Sequence, residues 1–135
     1  MVTATVPQVD NRTGAVTIYA LPATVNARIY AGDDFVLAVV VKNVLGESMD
    51  LAGSTARAHI RETIDAELAF EFECAVRDDT GVVLMHLPAA TTAILPPSSV
   101  YDCELSQQIV WEGGPAQRVT TLIRGTITIT PEITR

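Results

Sequence analysis

Two histidines, His59 and His86, are the side chains best suited to acid–base or metal chemistry in this 135-residue chain. Both fall inside runs that alternate as strands do, Ala56-Arg57-Ala58-His59-Ile60-Arg61 and Val82-Val83-Leu84-Met85-His86-Leu87. Neither stands in a metal-ligand spacing, and no cysteine is close enough in sequence to suggest zinc. His59 occupies the polar phase between Arg57 and Arg61 and reads as a surface residue. His86 lies near the end of its strand, where no neighbour in sequence supports an acid–base or metal role. Nucleophilic catalysis needs a base beside a Ser or Cys, and no local motif supplies one. Phosphate loops and dinucleotide fingerprints are absent. The expectation is no enzyme: no catalytic residue, no cofactor and no metal.

The acidic pairs Asp33-Asp34 and Asp78-Asp79 sit at turns, where aspartate accepts backbone N–H groups. The alternative is a calcium site built from several loops, since no EF-hand-like spacing supplies the six to eight oxygens from one segment. Cys74 and Cys103 are both in the apolar phase of strand-like runs. They read as buried free thiols, or as a bridge if their Cα atoms approach within roughly 7 Å. Aromatic residues make up only 5% of the chain, so exposed sugar platforms are scarce. Trp111, beside a hairpin turn, and Tyr30 are the candidates for contact with a partner.

These residues must be positioned by strands. Tyr101, Cys103 and Leu105 alternate with Asp102 and Glu104, and Gly113-Gly114-Pro115 then marks a turn. The return arm, from Arg118 onward, is rich in Thr, Ile and Val. This predicts a C-terminal hairpin with Tyr101, Cys103, Leu105, Ile127 and Ile129 facing the core. Upstream, Val25–Tyr30 alternates, 31–34 turns, and Phe35–Val41 is apolar on both faces. A strand apolar on both faces is covered on both sides, or lies against another subunit or the N-terminal arm. Phe35 is therefore a third candidate contact residue. Strands are expected over 54–61, 68–74 and 82–87, with Arg57 and Arg61 facing Glu71 and Glu73 across a ladder. Residues 89–95 could form a single helical turn before Pro96-Pro97.

The count is seven or eight strands with almost no helix. It predicts an all-β, antiparallel β-sandwich over 25–135, preceded by an extended arm over 1–24 that frays or exchanges with a neighbouring subunit. With 48% hydrophobic and 19% charged residues, the chain is expected to fold around a substantial core as one domain. A net charge of −7 argues against nucleic acid as a partner. No apolar run approaches the roughly 18–20 residues of a membrane span. Without a basic and apolar leader, synthesis in a reducing cytoplasm is expected.

Five segments carry a resemblance: Arg28-Ile29-Tyr30-Ala31-Gly32-Asp33-Asp34-Phe35, Asp50-Leu51-Ala52-Gly53-Ser54-Thr55-Ala56, Asp78-Asp79-Thr80-Gly81, Tyr101-Asp102-Cys103-Glu104-Leu105 and Leu122-Ile123-Arg124-Gly125-Thr126-Ile127-Thr128-Ile129. Their order over about residues 25–130 resembles the immunoglobulin-like β-sandwich modules of tailed-bacteriophage virion proteins. The N-terminal domain of baseplate upper proteins and related prophage tail or head accessory proteins are the nearest in pattern. The resemblance implies a virion structural protein made in the host cytoplasm. Its partners would be other virion proteins and copies of itself in a trimer or ring. Capsid decoration, collar and tail or baseplate accessory are the roles it implies. A carbohydrate- or ligand-binding sandwich, with Trp111 and the acidic turns lining one end, is the alternative.

Overall fold

The computed structural model describes residues 8–10, 13–19, 21–77 and 80–131. Eleven strands and one helical turn are present among them: β1 (Gln8–Asp10), β2 (Thr13–Ile18), β3 (Ala23–Thr24), β4 (Asn26–Tyr30), β5 (Phe35–Val41), β6 (Ser54–Arg61), β7 (Leu68–Glu71), β8 (Glu73–Arg77), β9 (Val82–Leu87), α1 (Ala89–Thr92), β10 (Ser98–Trp111) and β11 (Gly114–Thr130). They form an all-β sandwich. One sheet has seven strands, in the order β1-β4-β11-β10-β6-β7 with β3 added beside β11; the other has four, in the order β2-β5-β9-β8.

The sheets are mixed, which corrects the expected antiparallel arrangement. β1 pairs with β4, β2 with β5, and β11 with both β3 and β4, all in parallel. The cause is the route of the chain. β2 and β5 belong to the four-stranded sheet, while β3 and β4, which lie between them in sequence, belong to the other. Those strands act as the crossover that a parallel pair requires. Periodicity along one strand reports which face is buried and carries no information on the distant strand it joins. The same route bears on the expected arm. Residues 8–10 and 13–18 pair with strands of their own chain, one segment in each sheet, so a boundary at residue 24 falls inside the sandwich. Residues 1–7 lie outside the described residues.

The C-terminal hairpin is the longest pairing, from Ser98↔Thr128 to Trp111↔Gly114. Its turn is one step earlier than expected. Glu112 and Gly113 have φ of 51° and 80°, the double positive φ of a two-residue turn that matches strand twist. Gly114 and Pro115 are already paired. A bulge lies opposite the Cys103–Glu104 step, where Cys103 pairs with Ile123 but Glu104 with Thr121. The extra residue lets consecutive Leu122 and Ile123 both be fully buried, which strict alternation forbids.

Between the sheets, Phe35, Leu37 and Val39 of β5 and Val83 and Met85 of β9 meet Tyr101, Cys103, Leu105 and Ile127. Ile129 packs partly buried against this core. Phe72 joins the layers, with ring centroids 6.5 Å from Phe35 and 5.7 Å from Tyr101. Phe72 is also where the expected single strand 68–74 divides: β7 ends in one sheet and β8 starts in the other. The expected cross-strand ion pairs therefore do not form. Glu71 opposes His59 and Glu73 opposes His86, while the Arg61 Nη1 donates to the Ala66 carbonyl at 2.8 Å.

Candidate functional site

The sequence-predicted contact residues are dispersed. Trp111 and Tyr30 stand at opposite ends of the 17-residue β11, whose Gly114 pairs with Trp111 and whose Thr130 pairs with Tyr30. At about 3.3 Å per residue that separates them by on the order of 50 Å. Tyr30 is 43% exposed. Phe35 is buried at 1% exposure and packs against Phe72, so its side chain is core and offers nothing to a partner. The turn carrying Asp33 and Asp34 is at the Tyr30 end, away from Trp111. Asp78 and Asp79 lie outside the described residues.

Trp111 belongs to a projecting ribbon. β6 accompanies β10 only as far as Gln107↔Ser54. Beyond it, Gln108–Trp111 pairs solely with Gly114–Gln117 among the described residues. Four residues at about 3.3 Å each carry the tip roughly 13 Å past the sheet. The tip bears Trp111 at 69% and Val110 at 76% exposure, on opposite faces by strand alternation. Val110 was missed in the sequence because it reads as one more apolar residue of a core strand. What exposes it is that β6 has already ended, so that among the described residues β11 alone flanks this part of β10.

The outer face of the seven-stranded sheet is polar. Arg124, Asp102, His59 and Glu71 occupy one register row across β11, β10, β6 and β7. The His59 Nε2 lies 3.3 Å from Glu71 Oε1. His59, Arg61, Arg124 and Ile64 border a shallow concavity of about 500 Å³. An exposed cross-strand pair of opposite charge such as Asp102 and Arg124 contributes about 0–1 kcal/mol.

The outer face of the four-stranded sheet is apolar at its centre. Val36, Ala38 and Val40 of β5 and Val82 and Leu84 of β9 are half-buried there, with exposed Ala15 and Ala75 on the flanking strands. Here the expectation that Phe35–Val41 is apolar on both faces is met: Phe35, Leu37, Val39 and Val41 point inward, and the alternate residues outward. Across β8, β9 and β5 the rows run Glu73-His86-Val36, Ala75-Leu84-Ala38 and Arg77-Val82-Val40. The His86 imidazole stands between two carboxylates, with Nδ1 2.8 Å from Glu73 Oε1 and Nε2 3.5 Å from Asp34 Oδ1. The hydrogen bond to Glu73, reinforced by that to Asp34, raises the imidazole pKa above its ordinary value against a smaller opposing effect of burial. Asp34 Oδ1 also accepts the Ala89 N–H at 3.0 Å, so the cluster ties the β4–β5 turn to α1.

Cys74 on β8 and Cys103 on β10 are free and face one another across the sandwich. Hydrogen bonding between them lowers the Cys74 thiol pKa and, together with burial, raises that of Cys103. Among the described residues, no group of three or more His, Cys, Asp or Glu is arranged to hold a metal, and no helix is long and apolar enough to cross a membrane.

No protein-family model and no curated protein matches the sequence. Among solved structures, the N-terminal domain of phage TP901-1 ORF48 is similar, with a TM-score of 0.57 at 6% identity over 87% of this chain and 98% of that one. At 6% identity the likeness is one of fold. It extends over nearly the whole of the phage domain, so the two share an architecture and more than a common strand motif.

Proposed function

We propose that this chain is a structural component of a tailed-bacteriophage particle, working in the tail or baseplate by protein–protein contact and without catalysis. The observation that carries this reading is the fold likeness to a phage protein domain across 98% of that domain. The resemblance of the segments from Arg28 to Ile129 to immunoglobulin-like virion modules points the same way. The projecting hairpin supplies a means of attachment. A rigid aromatic residue on a two-stranded arm, exposed at 69%, is the kind of anchor that fills a pocket on a neighbouring protein. Its partner in this reading is another virion protein.

The test is incorporation. Particles produced by a host strain carrying the gene would be purified on a density gradient and their proteins identified by mass spectrometry. The chain is expected in the particles. Trp111→Ala, which removes an exposed side chain without touching the core, is expected to cost about 2 kcal/mol of contact energy, or roughly 30-fold in affinity. A chain absent from purified particles would overturn the virion role. Undiminished incorporation of the Trp111→Ala variant would remove the hairpin tip from it.

A further inference from the structure

We propose that the outer face of the four-stranded sheet binds the same face of a second copy of this chain, forming a two-fold dimer. The face has an apolar centre and a charge pattern that complements itself. Glu73 and Arg77 are both exposed on β8, with Ala75 between them. Asp34 joins Glu73 at one end of the face, and Lys42, one residue beyond β5 and in the phase of its outward residues, joins Arg77 at the other.

Consider two such sheets stacked face to face about an in-plane two-fold axis perpendicular to the strands. Each strand then lies over its own symmetry mate, running the opposite way. Glu73 of one copy meets Arg77 of the other, and by symmetry this happens twice. The row Ala75-Leu84-Ala38 lies on the axis and meets itself. Val36 meets Val40 of the second copy, and His86 meets Val82. The alternative two-fold axis, along the strands and through the centre of the patch, would lay the edge strand β8 over β2 of the second copy, so that Glu73 and Arg77 lie far from Arg77 and Glu73 of that copy. That arrangement forms neither of the two Glu73–Arg77 pairs. The charge pattern thus selects one orientation out of two, and it selects this chain as its own partner.

The footprint sets the strength. Four strands about 4.8 Å apart and five or six residues at about 3.3 Å each give a patch of roughly 20 by 20 Å. That is roughly 400 Å² per copy, below the standard size of a specific interface, so a weak and reversible pair is expected. This pairing does not depend on the virion role. The trimer or ring implied by the resemblance would have to use other surfaces.

Sedimentation equilibrium of the purified full chain alone tests it. The parent chain is expected to show a monomer–dimer equilibrium. Glu73→Arg and Arg77→Glu each place like charges together twice and are expected to weaken the dimer roughly 100-fold. The double variant E73R/R77E restores the complementary pattern and is expected to restore the dimer. Ala75→Asp, on the axis at an exposed position, is expected to abolish it. Thermal melts separate these effects from unfolding. A chain that stays monomeric to about millimolar concentration, or assembles with any other stoichiometry, would overturn the proposal. So would single variants that dissociate without rescue in the double variant.

Discussion

Gly125 gives the sharpest test of how the two long strands are seated. It lies opposite Tyr101 in the hairpin register, and an added Cβ would overlap the Val25 carbonyl group and crowd the Asn26 side chain. The close approach serves three hydrogen bonds. The Val25 N–H donates to the Arg124 carbonyl at 2.9 Å, the Thr126 N–H to Asn26 Oδ1 at 3.1 Å, and the Tyr101 hydroxyl to the Val25 carbonyl at 2.6 Å. Gly125→Ala must push the Val25 segment away. Each hydrogen bond contributes about 1 kcal/mol net, and crowding a packed site adds about 1–3 kcal/mol. A loss of about 4–6 kcal/mol follows if all three bonds are lost, against a total of roughly 5–15 kcal/mol for a domain. Gly113→Ala is the control: its φ of 80° is unfavourable for alanine, but nothing lies within 4 Å of the added carbon, so about 1 kcal/mol is expected. Urea unfolding followed by far-ultraviolet circular dichroism is the suitable assay, because Trp111 is exposed in the folded protein and reports poorly on its loss. Equal destabilisation by the two substitutions would refute the account, because Gly125 is not in the left-handed region and its cost is expected to come from the clash with Val25 alone.

Two further outcomes follow from the titratable groups. The raised pKa of His86 means that its pairing with Glu73 and Asp34 stabilises the fold fully below the ordinary histidine value of 6.5 and is lost as pH climbs through the higher folded value. The side chain is part-exposed, so solvent screening limits the effect to about 1 kcal/mol or less. His86→Asn should flatten that segment of the stability–pH curve, and an unchanged slope would exclude the cluster as its source. Cys74, half-buried with its thiol pKa lowered by hydrogen bonding to Cys103, should be alkylated in the folded protein, whereas fully buried Cys103 should react only after denaturation. Peptide mapping after a brief exposure to iodoacetamide reads both sites, and labelling of Cys103 at the native rate would contradict the packing described.

Burial phase was legible in the sequence wherever a strand had a single wet face. Tyr101, Cys103, Leu105 and Ile127 all point inward as their alternation requires. The departures come where a long-range event interrupts a local period. The run 68–74 alternates without a break, yet Phe72 carries the chain from one sheet to the other, and nothing local distinguishes a strand that continues from one that changes layer. The parallel pairs are hidden for the same reason: register between segments such as Thr13–Ile18 and Val36–Val41 is decided by the crossover between them. The ion pairs expected for Arg57 and Arg61 failed through this topology and through no lack of charge.

The contact surfaces follow a different logic. Trp111 was conspicuous because a large aromatic beside a turn has no obvious core to join, and its exposure depends only on the hairpin outrunning β6. The apolar outer face of the four-stranded sheet had a signal spread over two strands. Phe35–Val41 and Val82–Met85 are both apolar in each phase, and a sheet wet on one side has no use for that pattern. Read singly, each run is a strand covered on both sides by its own chain. Paired side by side with their outward residues half-buried, they leave an apolar centre that the described residues do not cover. Glu73 and Arg77 then decide what suits that centre, because a partner of one uniform charge would repel one end of the patch, and a second copy in the reversed orientation satisfies both.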